Sequence, residues 1–313
     1  MILSPAVLHL LGRQHGVASN SQLMGHVSRR QLKRAVDLKL LVPELPAVKR
    51  LAGVPTTAAL RVMALSLYAG ANGFVSGYTA ANEHGVTCVP RSVFEVMVNE
   101  IRAPELPDWV CVTRTSWRLA MDRLELADGR VLSSPLRTLF RCGAICNDVR
   151  FEKIAEQMWH RELITPDEAA TYLTDVRRSG RTGVARFERW LEQAIERPRP
   201  AQSGLEIDLA HALASINLPT PIRQFEVVLN GGEAIHLDLS WPDIRFGVEP
   251  GANWWHGGNS GTRRDRQRDR ACDEIGWRIV RFDEVELRDI MRCARQVATI
   301  HRERSRLQLL ARN

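Results

Sequence analysis

No apolar run in the 313-residue chain approaches the length of a membrane span. The first apolar stretch, residues 2–11, lacks a basic leader and a small-residue cleavage site, and it contains His9. No Cys-x-x-Cys pair occurs, and the six cysteines (Cys88, Cys111, Cys142, Cys146, Cys272 and Cys293) follow no disulfide-like rhythm. These absences argue against a membrane protein, a zinc-knuckle protein and a secreted disulfide scaffold. The expectation is buried thiols in a reducing cytoplasm.

What is present is an ordinary globular composition, 44% hydrophobic and 25% charged, on a chain longer than one core usually organises. A multi-domain α/β protein of two or three domains is expected. The formal charge of +7 and a pI near 9.4 point to a polyanionic partner. Arginine, the side chain suited to bidentate phosphate and guanine contacts, supplies most of that excess. DNA is therefore the leading partner class.

Residues 5–15 read as a helix with Val7, Leu8, Leu10 and Leu11 on its apolar side. Ser19, Asn20 and Ser21 offer the cap of a short second helix ending at Met24, and Ser28 caps a third over residues 29–38. The proline-interrupted segment 40–51 follows as a hairpin. Three short helices and a wing make a helix-turn-helix plan, whose last helix would present Arg29, Arg30, Lys33 and Arg34 to the major groove. The alternative for those four is a solvated helix face. Residues 56–195 alternate helices with short strands and hold no catalytic constellation, so they read as an α+β connector. Residues 196–202, with two prolines and little apolar content, read as a linker. The expected domains are thus 1–55, 56–195 and 203–313.

The last domain carries the chemistry. A helix over 203–215, strands over 222–229, 234–240 and 244–249, a charged helix over 262–275 and a strand over 277–282 give the order α-β-β-β-α-β. Strand alternation puts Ile235, Leu237 and Leu239 on one face, leaving His236, Asp238 and Ser240 on the other. In the next strand Ile244, Phe246 and Val248 oppose Arg245, Gly247 and Glu249. A tight reversal over 241–243 would bring Asp238 beside residues 247–249. Two converging carboxylates repel unless a proton or cation joins them, and hard oxygen ligands suit Mg²⁺. Glu206, three residues after Ser203, also fits a capping box. Trp254 and Trp255 lie in sequence beside this centre, either to stack on bases or to seal the core. Arg278 and Arg281 stand near a substrate phosphate, with Arg281 alternatively an ion-pair partner.

Two stretches resemble known families. Gly16-Val17-Ala18-Ser19-Asn20-Ser21-Gln22-Leu23, with the basic helix and wing, resembles the N-terminal domain of AbiEi-type antitoxins. Leu205-Glu206, His236-Leu237-Asp238-Leu239, Val248-Glu249, Trp255-His256, the charged helix around Arg264 to Arg270 and Gly276 to Phe282 resemble the PD-(D/E)XK nuclease superfamily, in its very-short-patch-repair branch. That resemblance implies a restriction-endonuclease-like core cutting DNA with Mg²⁺ or Mn²⁺. Asp238 and Glu249 would be the metal ligands, Glu206 an assisting acid, and His256 or His236 a catalytic histidine. The lysine usual two residues after the second acid is absent, because Gly251 stands there. The other expectation is a non-catalytic repressor or type IV antitoxin, with a cognate toxin as partner and a degenerate nuclease fold.

Overall fold

Ser4, Ser19, Ser28, Thr57, Ser134 and Ser203 each accept a first-turn backbone N–H of the helix that follows. These caps fix where the helices start. The computed structural model describes all residues except 1–2, 101–104, 116–118, 179, 198, 202, 252–258 and 313, and leaves undescribed the side chains of 259–266 and 311–312. The chain is mixed α/β and divides into two compact units: Met1–Asn147 with Thr171–Phe187, and Asp148–Ala170 with Glu188–Asn313. Among the described residues no helix is long and apolar enough to cross a membrane.

The first unit opens with α1 (Pro5–Arg13), β1 (Val17–Ser19), α2 (Asn20–Met24), α3 (Arg29–Asp37), β2 (Leu41–Leu45) and β3 (Val48–Leu51). The strands form an antiparallel sheet in the order β1-β3-β2. One core, with Val7, Leu11, Ala18, Leu23, Leu32, Ala35 and Leu41, joins the three helices to this sheet. Val17, Leu45 and Val48 instead pack with Leu60, Met63 and Leu65 of α4 (Ala58–Ala69). Because residues of this small sheet contribute to two cores, the chain has no break in packing at residue 55, where the sequence suggested a boundary.

The same unit continues with β4 (Phe74–Val75), α5 (Gly77–Glu83), β5 (Phe94–Val98), β6 (Val110–Arg114), β7 (Arg123–Glu125), β8 (Val131–Ser133) and α6 (Pro135–Ile145). The sheet order is β6-β5-β4-β8-β7. Glu95 on β5 is buried and accepts from Arg141 Nε at 2.6 Å and Thr113 Oγ1 at 3.3 Å. Gly77 has φ +57°, and a Cβ there would lie 2.3 Å from Glu95 Oε2, so only glycine fits. The Ser-Pro-Leu-Arg-Thr-Leu segment at 134–139 is structural: Arg137 is buried 3.8 Å from Asp122, and Asp122 accepts from Tyr172 at 2.8 Å.

In the second unit, α7 (Asp148–His160) packs on α10 (Gly204–Ser215), and α8 (Pro166–Val176) and α9 (Val184–Ile195) each contribute residues to both units. Glu156 on α7 is 2% exposed and gathers Trp190 Nε1 at 2.8 Å, Arg197 Nη2 at 2.5 Å and the Ala201 amide at 2.7 Å. Arg197 and Ala201 are therefore tied into this unit, in a stretch that the sequence suggested was a linker. A buried carboxylate needs donors, and this segment provides them.

The remaining elements are β9 (Ile222–Val228), β10 (Ala234–Trp241), β11 (Phe246–Pro250), α11 (Asn259–Glu274), β12 (Arg278–Phe282) and α12 (Ile290–Arg312). The sheet order is β12-β11-β10-β9, antiparallel except for the β11/β12 pair. Leu209 and Leu213 of α10, with Ala294 and Val297 of α12, cover one face, while Cys272 of α11 packs on the other.

Arg137→Ala and Glu156→Ala each leave a buried partner uncompensated. Each should lower unfolding free energy in urea by about 3–5 kcal/mol, far beyond the effect of an exposed substitution such as Arg29→Ala.

Candidate functional site

Strict alternation along β10 would keep Ile235, Leu237 and Leu239 together, but they separate. Ile235 and Leu237 pack with Cys272 and Trp277, whereas Leu239 packs with Phe246 and Val248 against the opposite helices. The alternation slips between Leu237 and Leu239, at Asp238. The β9/β10 ladder reflects this, running from Ala234↔Val228 to Leu237↔Phe225 and resuming at Leu239↔Arg223. Gln224, the residue passed over on β9, has φ +54°. A non-glycine residue in the left-handed region is strained, and strain of this kind concentrates at functional sites.

The slip gathers three side chains. Gln224, 1% exposed, donates its amide to Asp238 Oδ1 at 2.9 Å and to Glu206 Oε2 at 3.2 Å. Glu206 is fully buried on the first turn of α10, where Ser203 caps its backbone N–H while its carboxylate takes the Gln224 amide. One neutral amide thus joins two carboxylates.

Across the sheet, the β10/β11 ladder runs to Leu239↔Val248, next in sequence to Asp238 on β10 and Glu249 on β11. Glu249 Oε2 accepts from Arg281 Nε at 2.7 Å. The Arg268 guanidinium of α11 stands 2.9 Å from Oε1, which receives no hydrogen bond among the described residues. Arg268 also donates to the His236 carbonyl at 3.0 Å, and Arg281 also bonds Asp269. Burial, reinforced by the Glu249 charge, pushes the Asp238 carboxyl up to about 6, against the pull of the Gln224 hydrogen bond and the two arginines.

Asp238, Glu249, His236, Arg268, Arg199 and Gly251 are among the residues lining an open cleft of about 520 Å³. His236 Nε2 lies 3.4 Å from Glu226 Oε2, at the side of the cleft that continues into a larger cavity of about 920 Å³ along β9. Asp238, Glu249, Glu206 and His236 are thus brought to one region. Arg278 is not: it is exposed and pairs with Phe246 at the opposite end of the β11/β12 ladder from Glu249↔Arg281. It starts the strand, and parity turns Arg281 to the acids instead. His256, Trp254 and Trp255 lie outside the described residues. In the first unit Arg29, Arg30, Lys33 and Arg34 are all exposed on α3, with Lys33 paired to Asp37 at 2.8 Å.

Among the described residues no group of three or more His, Cys, Asp or Glu side chains converges as a metal cluster. Two carboxylates do face one cleft, with an acceptor oxygen of Glu249 lacking a hydrogen bond and Asp238 resisting ionisation. That donor set fits Mg²⁺, which takes one or two carboxylates and completes its shell with water and phosphate oxygens. Gln224, Arg268 and Arg281 contact the two acids of this candidate site, and sequence reading missed them or left them open. The only sequence signal for Gln224 is its place opposite Asp238 once the hairpin is aligned.

No protein-family model matches the chain. Two uncharacterized proteins of Mycobacterium tuberculosis are similar to it: MT2308 of strain CDC 1551 / Oshkosh and Rv2248 of strain ATCC 25618 / H37Rv. Each is 28% identical over 197 residues, covering 59% of this chain and 66% of the relative. The chain thus spans just under two thirds of the length of these curated relatives, whose names assign no activity.

The raised Asp238 carboxyl gives a pH signature. Between its ordinary value of 3.8 and about 6 the folded protein keeps a proton that the unfolded chain has released. Stability from this group is therefore highest at low pH and falls as pH rises through that window. Carboxyl-carbon NMR of the metal-free protein should show Asp238 titrating near 6, and Gln224→Ala should move the midpoint higher. A midpoint near 3.8 in the wild type would contradict the described burial.

Proposed function

We propose that this protein binds DNA and that its second unit is a PD-(D/E)XK-type, metal-dependent endonuclease domain hydrolysing DNA phosphodiester bonds, in a defence, repair or mobile-element setting. The observation that carries this reading is the pair Asp238 and Glu249, on adjacent strands of a sheet built in the order α-β-β-β-α-β. This is the restriction-endonuclease-like plan that the sequence resemblance implies. Two further features of the centre agree with it. Glu206 reaches the pair from the first helix through Gln224, and Asp238 sits at a slip in strand alternation that aims its carboxyl into an open cleft.

Asp238 and Glu249 would hold Mg²⁺ or Mn²⁺, which when bound supplies water activation and charge stabilisation on a phosphate oxygen. The protein's own side chains do the rest. Gln224 fixes the Asp238 carboxylate in one orientation, and Arg281 fixes Glu249. His236, at the cleft wall, is placed as a candidate proton acceptor. In the first unit, three helices and the β2/β3 hairpin support a winged helix-turn-helix reading, with Arg29, Arg30, Lys33 and Arg34 of α3 as its DNA contacts. DNA as the partner puts its place of action in the cytoplasm.

A second reading has its own observation. Glu249 is already charge-compensated by Arg268 and Arg281, and Gly251 occupies the usual lysine position. Both features favour a non-catalytic repressor or type IV antitoxin, working with a cognate toxin, that keeps the nuclease fold for binding.

Incubation with supercoiled plasmid and Mg²⁺ or Mn²⁺ should give nicked or linear product. Asp238→Ala should abolish it, while gel shifts show DNA binding retained. Protein that shifts DNA yet leaves duplex, mismatched and single-stranded substrates intact in every metal tested would sink the enzyme reading. A nucleotidyltransferase-like toxin encoded beside the gene would then favour the second.

A further inference from the structure

The nuclease reading leaves a gap in charge. The cationic lysine usual two residues after the second acid is absent, and its position holds Gly251, which has φ +87° and no side chain. The cleft contains Gly251, Asp238 and Glu249 together, and one cation among its lining residues also touches the acids: Arg268, reaching in from α11. We infer that Arg268 is the phosphate-contacting cation of this centre, standing in for the side chain that Gly251 lacks. This inference rests on the nuclease reading of the second unit.

Three observations separate Arg268 from its neighbour Arg281. Arg281 is 6% exposed and holds both Glu249 and Asp269, a structural clamp that a substrate cannot reach. Arg268 is 33% exposed and opens on the cleft. Its guanidinium is also incompletely used: one Nη serves the His236 carbonyl and the Glu249 carboxylate, while Nε, shielded from solvent, has no hydrogen-bond partner among the described residues. A guanidinium offers five donors in a planar fork, a shape that matches phosphate oxygens.

The contact to Glu249 explains how the same arginine is held before substrate arrives. At 2.9 Å, without hydrogen-bond geometry, the pair is electrostatic and exchangeable. The bond to the His236 carbonyl, on the strand that carries Asp238, sets the height of the guanidinium over the acidic pair. A phosphodiester entering the cleft meets a cation already aimed at it, so little reorganisation accompanies binding. Because arginine stays protonated at all relevant pH, it stabilises charge and takes no part as a base.

The test uses the full chain as wild type, Arg268→Ala and Arg268→Lys, with two readouts. The first is the salt dependence of affinity for a fluorescein-labelled duplex, measured without metal. Loss of one phosphate contact should lower the slope of log K against log salt by roughly one in Arg268→Ala and leave it intact in Arg268→Lys. The second is single-turnover cleavage with Mg²⁺, expected to fall by about a hundredfold in Arg268→Ala and to recover in part in Arg268→Lys. An unchanged salt slope in Arg268→Ala overturns the inference whatever the cleavage rate. If the wild type never cleaves, the nuclease reading falls on its own while the salt slope still decides Arg268. Should thermal melting show Arg268→Ala to be unfolded, Arg268→Gln, which keeps the stem and removes the charge, takes its place in both measurements.

Discussion

Two carboxylates set side by side in a half-buried cleft repel each other, and the second unit is arranged around compensating that repulsion. Asp238 and Glu249 come from adjacent strands, so neither can retreat without unzipping the sheet. The compensation is divided unevenly between them. Glu249 is given two guanidinium groups, while Asp238 is given a neutral amide and keeps a raised carboxyl pKa. A site that leaves Asp238 reluctant to ionise beside a second carboxylate is poised to gain from an incoming cation.

The amide of Gln224 links this electrostatics to the backbone. It bonds Asp238 on β10 and Glu206 on α10, and its own φ lies in the left-handed region, where the ladder skips a pair. Leu239 then faces the α10 and α12 side while Leu237 faces α11. The strain at Gln224 is thus held by packing on both sides of the sheet. A strand that alternated strictly would not divide its leucines in this way.

Around this centre, buried acids serve as staples. Glu152 on α7 pairs with His211 on α10 at 2.7 Å and with Arg223 on β9. With Glu156 collecting Trp190, Arg197 and Ala201, these contacts tie α7 to α9, α10, β9, Arg197 and Ala201. In the first unit, the Glu95 and Asp122 networks tie β5 and the 120–122 turn to α6 and Tyr172 in the same manner. Each depends on complete pairing, since a buried charge that loses its partner costs more than the pair contributes.

The sequence by itself determined the local elements and the polar face. Serine caps and the alternation of Phe246, Val248 and Glu249 are properties of neighbouring residues, so helices α2, α3 and α10 and the strand carrying Glu249 were legible without coordinates. Only the tertiary structure decided the boundaries and the company each side chain keeps. The small sheet before residue 55 contributes to two cores, and Arg197 and Ala201 are drawn to Glu156, some forty residues earlier, because a buried carboxylate needs donors. Gln224, Arg268 and Arg281 come to the acids from three separate elements. Their roles come from long-range register, helix placement and the demand of buried charge for partners, none of which is written in the spacing of adjacent residues.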